Sequence, residues 1–379
     1  MTGVYCGSGF SRAVRMAARA GLALLLLATV AVFDPAAAQT VRPPAGAVEQ
    51  AAPVAGEVPG GALGSRSDSE LWRAIRQGES FSVSIPDRNA ATLVQSEGAL
   101  WLNIRNGPVR EYGAWGLGGI VALLLLFYLL RGRIRIEHGK AGATISRFSA
   151  IERFGHWLLA VSFVILGLTG LIMLYGRPLL IPVIGKEAFA SLTAVGKLLH
   201  NYLAFAFMAG LLITFVMWVR HNFPSRHDLV WIARGGGLLV KGVHPPSRKF
   251  NAGQKLVFWI VMLLGLSLSL SGIALMFPFE FRMFSATFEV MNLVGFDLPT
   301  SLTTMQEMQL SQLWHTVVAL VLVIAIIAHI YIGTLGMEGA FDAMGTGEVD
   351  LNWAREHHNL WAAEVEARRA PADGPAAAE

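Results

Sequence analysis

The sequence predicts an all-α membrane protein: a four-helix transmembrane bundle preceded by one additional N-terminal transmembrane helix. Three observations carry this. The 379 residues are 54% hydrophobic and 15% charged, with a mean hydropathy of +0.51, too apolar for a soluble domain of this length. Successive apolar runs are each long enough to cross about 30 Å of hydrocarbon. Basic residues concentrate in particular connections between these runs, the bias that orients spans.

In chain order, residues 1–38 read as a secretory signal. Arg12, Arg15 and Arg19 precede the apolar run GLALLLLATVAVF, and Ala36-Ala37-Ala38 offers a small-residue cleavage site. Residues 39–111 form a periplasmic segment: a flexible Ala/Pro/Gly-rich linker to about Gly64, then a small ordered element from Ser67 to Arg110 containing DSELWRAIRQG, FSVSIP and ALWLNIRNG. The additional helix occupies 112–131, the bundle 149–336 and a cytoplasmic tail 337–379. Spans are predicted near Tyr112–Leu130, Ser149–Tyr175, Leu198–Val219, Leu256–Phe277 and Leu313–Leu335. The tail segment NWAREHHNLWAAEVEARRA reads as an exposed or interfacial helix before a disordered end.

Charge orients the spans. Arg131, Arg133, Arg135 and Lys140 follow the first span, and Arg220, Arg226, Arg234, Lys241, Arg248, Lys249 and Lys255 follow the third, so both connections belong inside. The connection from Phe277 to Gln312 carries Glu280, Glu289, Asp297 and Glu307 against Arg282 alone and suits the outside. A cleaved signal independently places Tyr112 outside, and five crossings then bring the C-terminus into the cytoplasm of a bacterial inner membrane. A net charge of +4 and a pI near 9.4 do not indicate nucleic acid, because no nucleic-acid module accompanies them. The single cysteine, Cys6, excludes an intrachain disulfide, a four-thiolate iron–sulfur cluster and a Cys-x-x-Cys-His attachment site. Any bound metal must be held by nitrogen or oxygen.

Imidazole in hydrocarbon is costly, yet four histidines lie in the apolar segments. His315 and His329 are fourteen residues apart on the last span, about 21 Å along a helix axis and within about 40° of one face. His156 begins a span that starts inside, at the depth of His329; His200 begins one that starts outside, at the depth of His315. The shared ligand that fits best is haem, held twice between histidines with the four residues as axial ligands of iron, against the alternative of structural hydrogen-bonding or proton-relay histidines. Gly155, Gly167, Gly170, Gly265 and Gly272, with Ser267, Ser269 and Ser271, offer small surfaces to a macrocycle or to a neighbouring helix. Arg153 is placed to pair a haem propionate, or is an ordinary inside-positive residue. His138, His221, His227, His244, His357 and His358 fall in hydrophilic joints or the tail and read as solvated, without a role.

The segments IERFGHWLLA, GKLLHNYLA, KFNAGQKLVFW and LWHTVVALVLVIAIIAHIY together resemble the cytochrome b (gamma) subunit of membrane-bound respiratory formate dehydrogenase, over about Ser149 to Ala363. The resemblance implies that both haems are haem b. It also implies a quinone site beside the His156–His329 haem at the loop Asn251-Ala252-Gly253-Gln254-Lys255, with Asn251, Gly253, Gln254 and His329 contributing. Asn251 and Gln254 can hydrogen-bond a quinone carbonyl, and Asn251 also suits a helix N-cap. The resemblance further implies two partners, an iron–sulfur beta subunit and a molybdenum- or tungsten-containing alpha subunit that oxidises formate. Electrons would pass from the periplasmic face across the bilayer to membrane quinone. The long N-terminal part departs from the short form of that family. The same architecture would serve a cytochrome b of a hydrogenase or of a thiosulfate or polysulfide reductase. A haem-free anchor or transporter with a histidine proton relay is the alternative from another class.

Overall fold

The computed structural model describes residues 96–238 and 240–369. The expected signal, the linker, Cys6, most of the segment from Ser67 to Arg110 and the tail beyond Arg369 lie outside the described residues. Helix α1 (Ser96–Ile104) passes through a π-helical turn, Arg105–Val109, into α2 (Arg110–Arg131). Pro108 sits inside that turn. Proline lacks an N–H and breaks the regular hydrogen-bond ladder, and the wider turn absorbs the break without ending the helix. ALWLNIRNG therefore belongs to the first apolar rod rather than to a separate outer element. Gly132, with φ of 69°, stops α2 by donating its N–H to the Tyr128 carbonyl.

After a short strand β1 (Thr144–Ser146), a capping box between Ser149 and Glu152 opens α3 (Ala150–Trp218). This is a hairpin of two helices. Gly185 has φ 80° and ψ 170°, conformations outside the helix, and divides it into limbs 150–184 and 186–218. The limbs run antiparallel: Gly155 meets Ile213, Leu159 meets Gly210, Thr169 meets Gly196 and Gly176 meets Phe189. Both limbs extend past the span ends expected at Tyr175 and Leu198, so His200 lies well inside the second limb instead of opening it.

Helix α4 (Arg226–Ala233) precedes α5 (Ala252–Met276), and Lys255 ties them by binding Asp228 at 2.8 Å. Helix α6 (Met283–Asn292) is capped from across the chain: the buried Glu307 carboxylate accepts from the N–H groups of Phe284 and Ser285. Helix α7 (Thr304–Tyr331) ends in a π-turn, Ile332–Gly336. Among the described residues four helical stretches are long and apolar enough to cross a membrane: 100–131, 150–221, 252–276 and 304–336. One of them is the hairpin, so the described residues contain five apolar rods, one at 100–131 and four after it. Helix α2 packs on α7, α7 on α5, and α5 on α3. Gly113 and Gly116 make the first of these contacts possible, because a Cβ there would lie 2.6 Å from Leu320 and 2.8 Å from Ile324.

The tail is docked rather than exposed. It folds as α8 (Asp342–Gly345), β2 (Glu348–Asp350), α9 (Leu351–His357) and α10 (Asn359–Arg369). Strand β2 pairs antiparallel with β1, setting the buried Val349 opposite Ile145, a two-stranded addition to the all-α expectation. Trp353, Ala354, Trp361 and Ala362 are buried, and the guanidinium of Arg147 lies 5.2 Å from the rings of Phe148, Trp353 and Trp361. Burial pushes Arg147 down to about 9, which still leaves it charged at neutral pH. The tail was expected to be solvated because its charges are frequent. Its tryptophans instead cover the end of the bundle while the charges point outward or pair.

Two outcomes follow from this packing. A Cβ at Gly210 would fall 2.7 Å from the backbone of Leu159, so Gly210→Ala is expected to force the limbs apart at a cost of about 1–3 kcal/mol. Thermal unfolding in detergent should show this, with Gly119→Ala, which meets nothing within 4 Å, unchanged. Tail docking should also weaken in acid. Burial holds His357 down at about 4 and His358 well below its ordinary 6.5. The unfolded tail therefore binds more protons as pH falls from 6.5 to about 4, and docking loses stability across that window with no change above it. Glu356 acts in the same direction: burial opposes ionisation, but backbone donors of His138 and Glu137 hold it below its ordinary range. The protection factors of amides over residues 351–369, the observed exchange corrected for its intrinsic pH dependence, should fall on acidification; equal protection factors at neutral pH and at about pH 4.5 would contradict this.

Candidate functional site

The structure brings the four intramembrane histidines together in two pairs. The rings of His156 and His329 are centred 6.3 Å apart, and those of His200 and His315 6.2 Å apart. Their planes are inclined by 59° and 63°. Two imidazoles bound at about 2.0 Å to opposite sides of one metal, with about 1.1 Å from nitrogen to ring centre, have centres about 6.2 Å apart. Both pairs match that separation. Helix α7 is continuous between its two histidines, which sets the pairs about 21 Å apart along its axis. Among the described residues no group of three or more His, Cys, Asp or Glu side chains is placed to hold a metal ion, so the pairs suit a metal whose remaining ligands come from elsewhere, as in a porphyrin.

At the His200–His315 pair, the hydroxyls decide which ring nitrogen is free. Thr169 Oγ1 donates its one proton to the carbonyls of Ile165 and Leu166 and lies 2.8 Å from His200 Nδ1. With that proton on the backbone the oxygen can accept, an arrangement in which Nδ1 carries the imidazole hydrogen. Ser271 does the same for His315: its hydroxyl donates to the carbonyls of Ser267 and Leu268 and sits 2.9 Å from Nδ1. Each Nε2 is thereby left with its lone pair, the form that ligates iron. A glycine follows each hydroxyl residue. A Cβ at Gly170 would lie 3.6 Å from His200 Cε1, and one at Gly272 3.6 Å from His315 Cε1.

The other pair is built differently. The start of α3 is fixed by Glu152, which accepts from Lys249 Nζ at 2.7 Å and Trp218 Nε1 at 3.0 Å. His156 then lies against Trp157 and Trp218, with ring centres 5.3 and 6.3 Å away. Its Nδ1 is buried without a partner, as is the Thr214 hydroxyl on the facing limb. Arg153, a candidate for a propionate, gives one guanidinium nitrogen to the Gly345 carbonyl at 2.8 Å and keeps a buried Nε without a partner.

Asn251 is the N-cap of α5. Its Oδ1 accepts from Gln254 N at 2.9 Å, and Gln254 Oε1 accepts from Asn251 N at 3.1 Å. Both amide oxygens are thus committed to the cap, and any contact with a carbonyl ligand falls to the amide nitrogens. Gly253 leaves room for Trp231, whose ring edge would be 2.9 Å from a Cβ there. Asn251 lines a cavity together with Arg131, Glu137, His244, Glu356 and His357.

Thr169 was not singled out from sequence, and Ser271 was named only as a small surface, not as a hydrogen-bond partner. Both had a readable signal, the Thr-Gly and Ser-Gly pairs preceding each facing histidine. Glu137, His244, Glu356 and His357 had none, since they meet across more than one hundred residues. The histidines read as solvated divide. His138 is exposed and pairs with Glu356 at 2.8 Å. His358 is 1% exposed and bonded to Arg147, Ser247 and the Arg248 carbonyl. His357 is largely enclosed beneath Trp353. Apolar tail residues carry the last two inward, which correct the expectation of a solvated tail.

Comparison with known proteins gives the family. The chain is 27% identical over 224 residues to the cytochrome b556(Fdn) subunit of the nitrate-inducible formate dehydrogenase of Escherichia coli (strain K12), covering 59% of this chain and 92% of that one. It is 27% identical over 223 residues to the cytochrome b556(fdo) subunit of formate dehydrogenase from the same strain, with 59% and 93% covered. It is 24% identical over 221 residues to the formate dehydrogenase cytochrome b556 subunit of Haemophilus influenzae, with 57% and 82% covered. The sequence profile of prokaryotic cytochrome b561 matches residues 147–347, a segment that holds all four paired histidines, Arg153 and the Asn251 loop. With more than half of its length in that match, the chain belongs to the prokaryotic cytochrome b561 family.

Proposed function

We propose that this chain is the di-haem cytochrome b subunit of a respiratory formate dehydrogenase, which anchors the complex and conducts electrons from a periplasmic iron–sulfur subunit to membrane quinone. Membership of a cytochrome b family implies haem b. The observation that carries the reading is the pair of imidazole couples, 6.3 and 6.2 Å between ring centres, stacked along one helix. His156 with His329, and His200 with His315, would hold two haems, which supply one-electron carriage between the two faces of the bilayer. Partners follow from the formate dehydrogenase subunits that the chain resembles: an iron–sulfur beta subunit and a molybdenum or tungsten alpha subunit on which formate is oxidised.

The arginines and lysines after α2 and between α3 and α5 favour an orientation with the His156–His329 end at the cytoplasmic face of a bacterial inner membrane. The His200–His315 end then faces the periplasmic donor. Thr169 and Ser271 hold their histidines in the ligating tautomer, and Gly170 and Gly272 leave the rings space. At the cytoplasmic end, Asn251 Nδ2 and Gln254 Nε2 are donors free of the capping box and suited to a quinone carbonyl, with His329 on the same side of the bundle. Reducing quinone there takes protons from the cytoplasm, so electron flow from the periplasm charges the membrane.

Purification of the intact complex should give a reducible b-type spectrum with two haems per chain and a copurifying formate-oxidising subunit; a chain without haem sinks the reading. In His315→Ala the haem content should fall to one per chain, and retention of two would show the pairing to be wrong. Thr169→Val removes the acceptor for the His200 ring hydrogen while keeping the side-chain volume. Haem should then be lost about 10–100-fold more readily from that pair. The measurement is haem retained by the purified variant under competition with apomyoglobin.

A further inference from the structure

The cavity beside Asn251 contains ionisable groups that the electron path does not use. Glu137, His244, Glu356 and His357 line it together with Asn251. Two bonded pairs run from solvent toward it, one of them with His138, which lies outside the lining. His138 Nδ1 lies 2.8 Å from Glu356 Oε1, and the exposure of the two side chains drops from 74% to 5%. His244 Nε2 lies 3.0 Å from Glu137 Oε2, both partly exposed. The His244 ring is 6.4 Å from that of His357. His357 differs from its neighbour His358 in one respect that matters. His358 has both ring nitrogens bonded, whereas His357 Nε2 is buried without a partner.

We propose that His357, fed through His244, delivers cytoplasmic protons to quinone bound at Asn251. This rests on the quinone reading above. An imidazole passes a proton without moving far, taking one at one nitrogen and releasing one from the other. The two carboxylates are not the carriers. Glu356 is anchored by the backbone N–H groups of Glu137 and His138, and Glu137 by that of Gly242, and both are held below the ordinary carboxylate range. Burial disfavours an imidazolium at His357, and the charges of a protonated His244 and of Arg147 add to that, so it is a transient carrier; the fixed negative charge of Glu356 and Glu137 offsets part of the cost. Arg131 and Arg135 complete the charged lining of the cavity. In the net reaction quinone takes two electrons from the proposed donor chain and two protons through His357. Each carbonyl becomes a hydroxyl, and the imidazole returns to neutral after each transfer.

The test uses the intact complex in inside-out membrane vesicles, pre-reduced with formate or dithionite and mixed rapidly with a short-chain quinone. His357→Gln should slow reoxidation of the b-type absorbance by at least about tenfold near neutral pH. Free imidazole should restore it, and binding of a fluorescent quinone-analogue inhibitor should be unchanged. His244→Gln should slow it less and shift its pH profile. A His357→Gln rate within about twofold of wild type overturns the relay while leaving the electron path standing. Slowing without imidazole rescue, or with inhibitor binding lost, also overturns it, because the residue is then structural. A wild-type complex that quinone does not reoxidise overturns both readings.

Discussion

The structure depends on committing imidazole nitrogens inside an apolar bundle. A histidine in hydrocarbon has two polar atoms and no water to serve them, so each must find a partner in the protein or in a ligand. At the His200–His315 pair the protein serves half of this need. Two helix hydroxyls already engaged with their own backbone lie within hydrogen-bond reach of Nδ1 of each ring and can accept its hydrogen. The two rings of the pair have centres 6.2 Å apart, which leaves their remaining nitrogens available to a shared ligand. Threonine and serine in these positions are more than small residues in a helix seam.

Close approach of backbones is the second condition. Gly210 brings its limb against the Leu159 backbone, and Gly155 admits the Ile213 side chain, so the limbs of α3 close tightly on each other. Gly113 and Gly116 perform the same service for α2 on α7. Without a hydrophobic drive between helices in lipid, such close packing is what holds spans together. The N-terminal helix thus joins the bundle through the helix that carries His315 and His329.

The two ends of the bundle are unlike. One pair of histidines is braced by hydroxyls within the helices. The other sits under a cap made from the loop after α2 and the folded tail, with His156 Nδ1 and Thr214 Oγ1 unpartnered and a polar cavity nearby. A brace within helices suits a group that only exchanges electrons. A capped end with water-facing histidines suits a site where protons must also arrive.

Sequence by itself determined the spans, the histidine spacing and the family. These are local or periodic properties: apolar runs of span length, fourteen residues between His315 and His329, and charge counted loop by loop. Even there the boundaries shifted, because Pro108 was absorbed by a π-turn and the hairpin of α3 ran on to Gly185. Asn251 was legible as both cap and ligand candidate, and the capping box left only its nitrogen for the second role. Tertiary structure alone decided the tautomers, the docking of the tail and the fate of its histidines. Arg147 meeting Trp353 and Trp361, and Glu356 reaching Glu137 and His138, join residues about two hundred positions apart. No periodicity encodes such meetings, since they follow from how the finished bundle end must cover its buried surface and satisfy its buried polar groups.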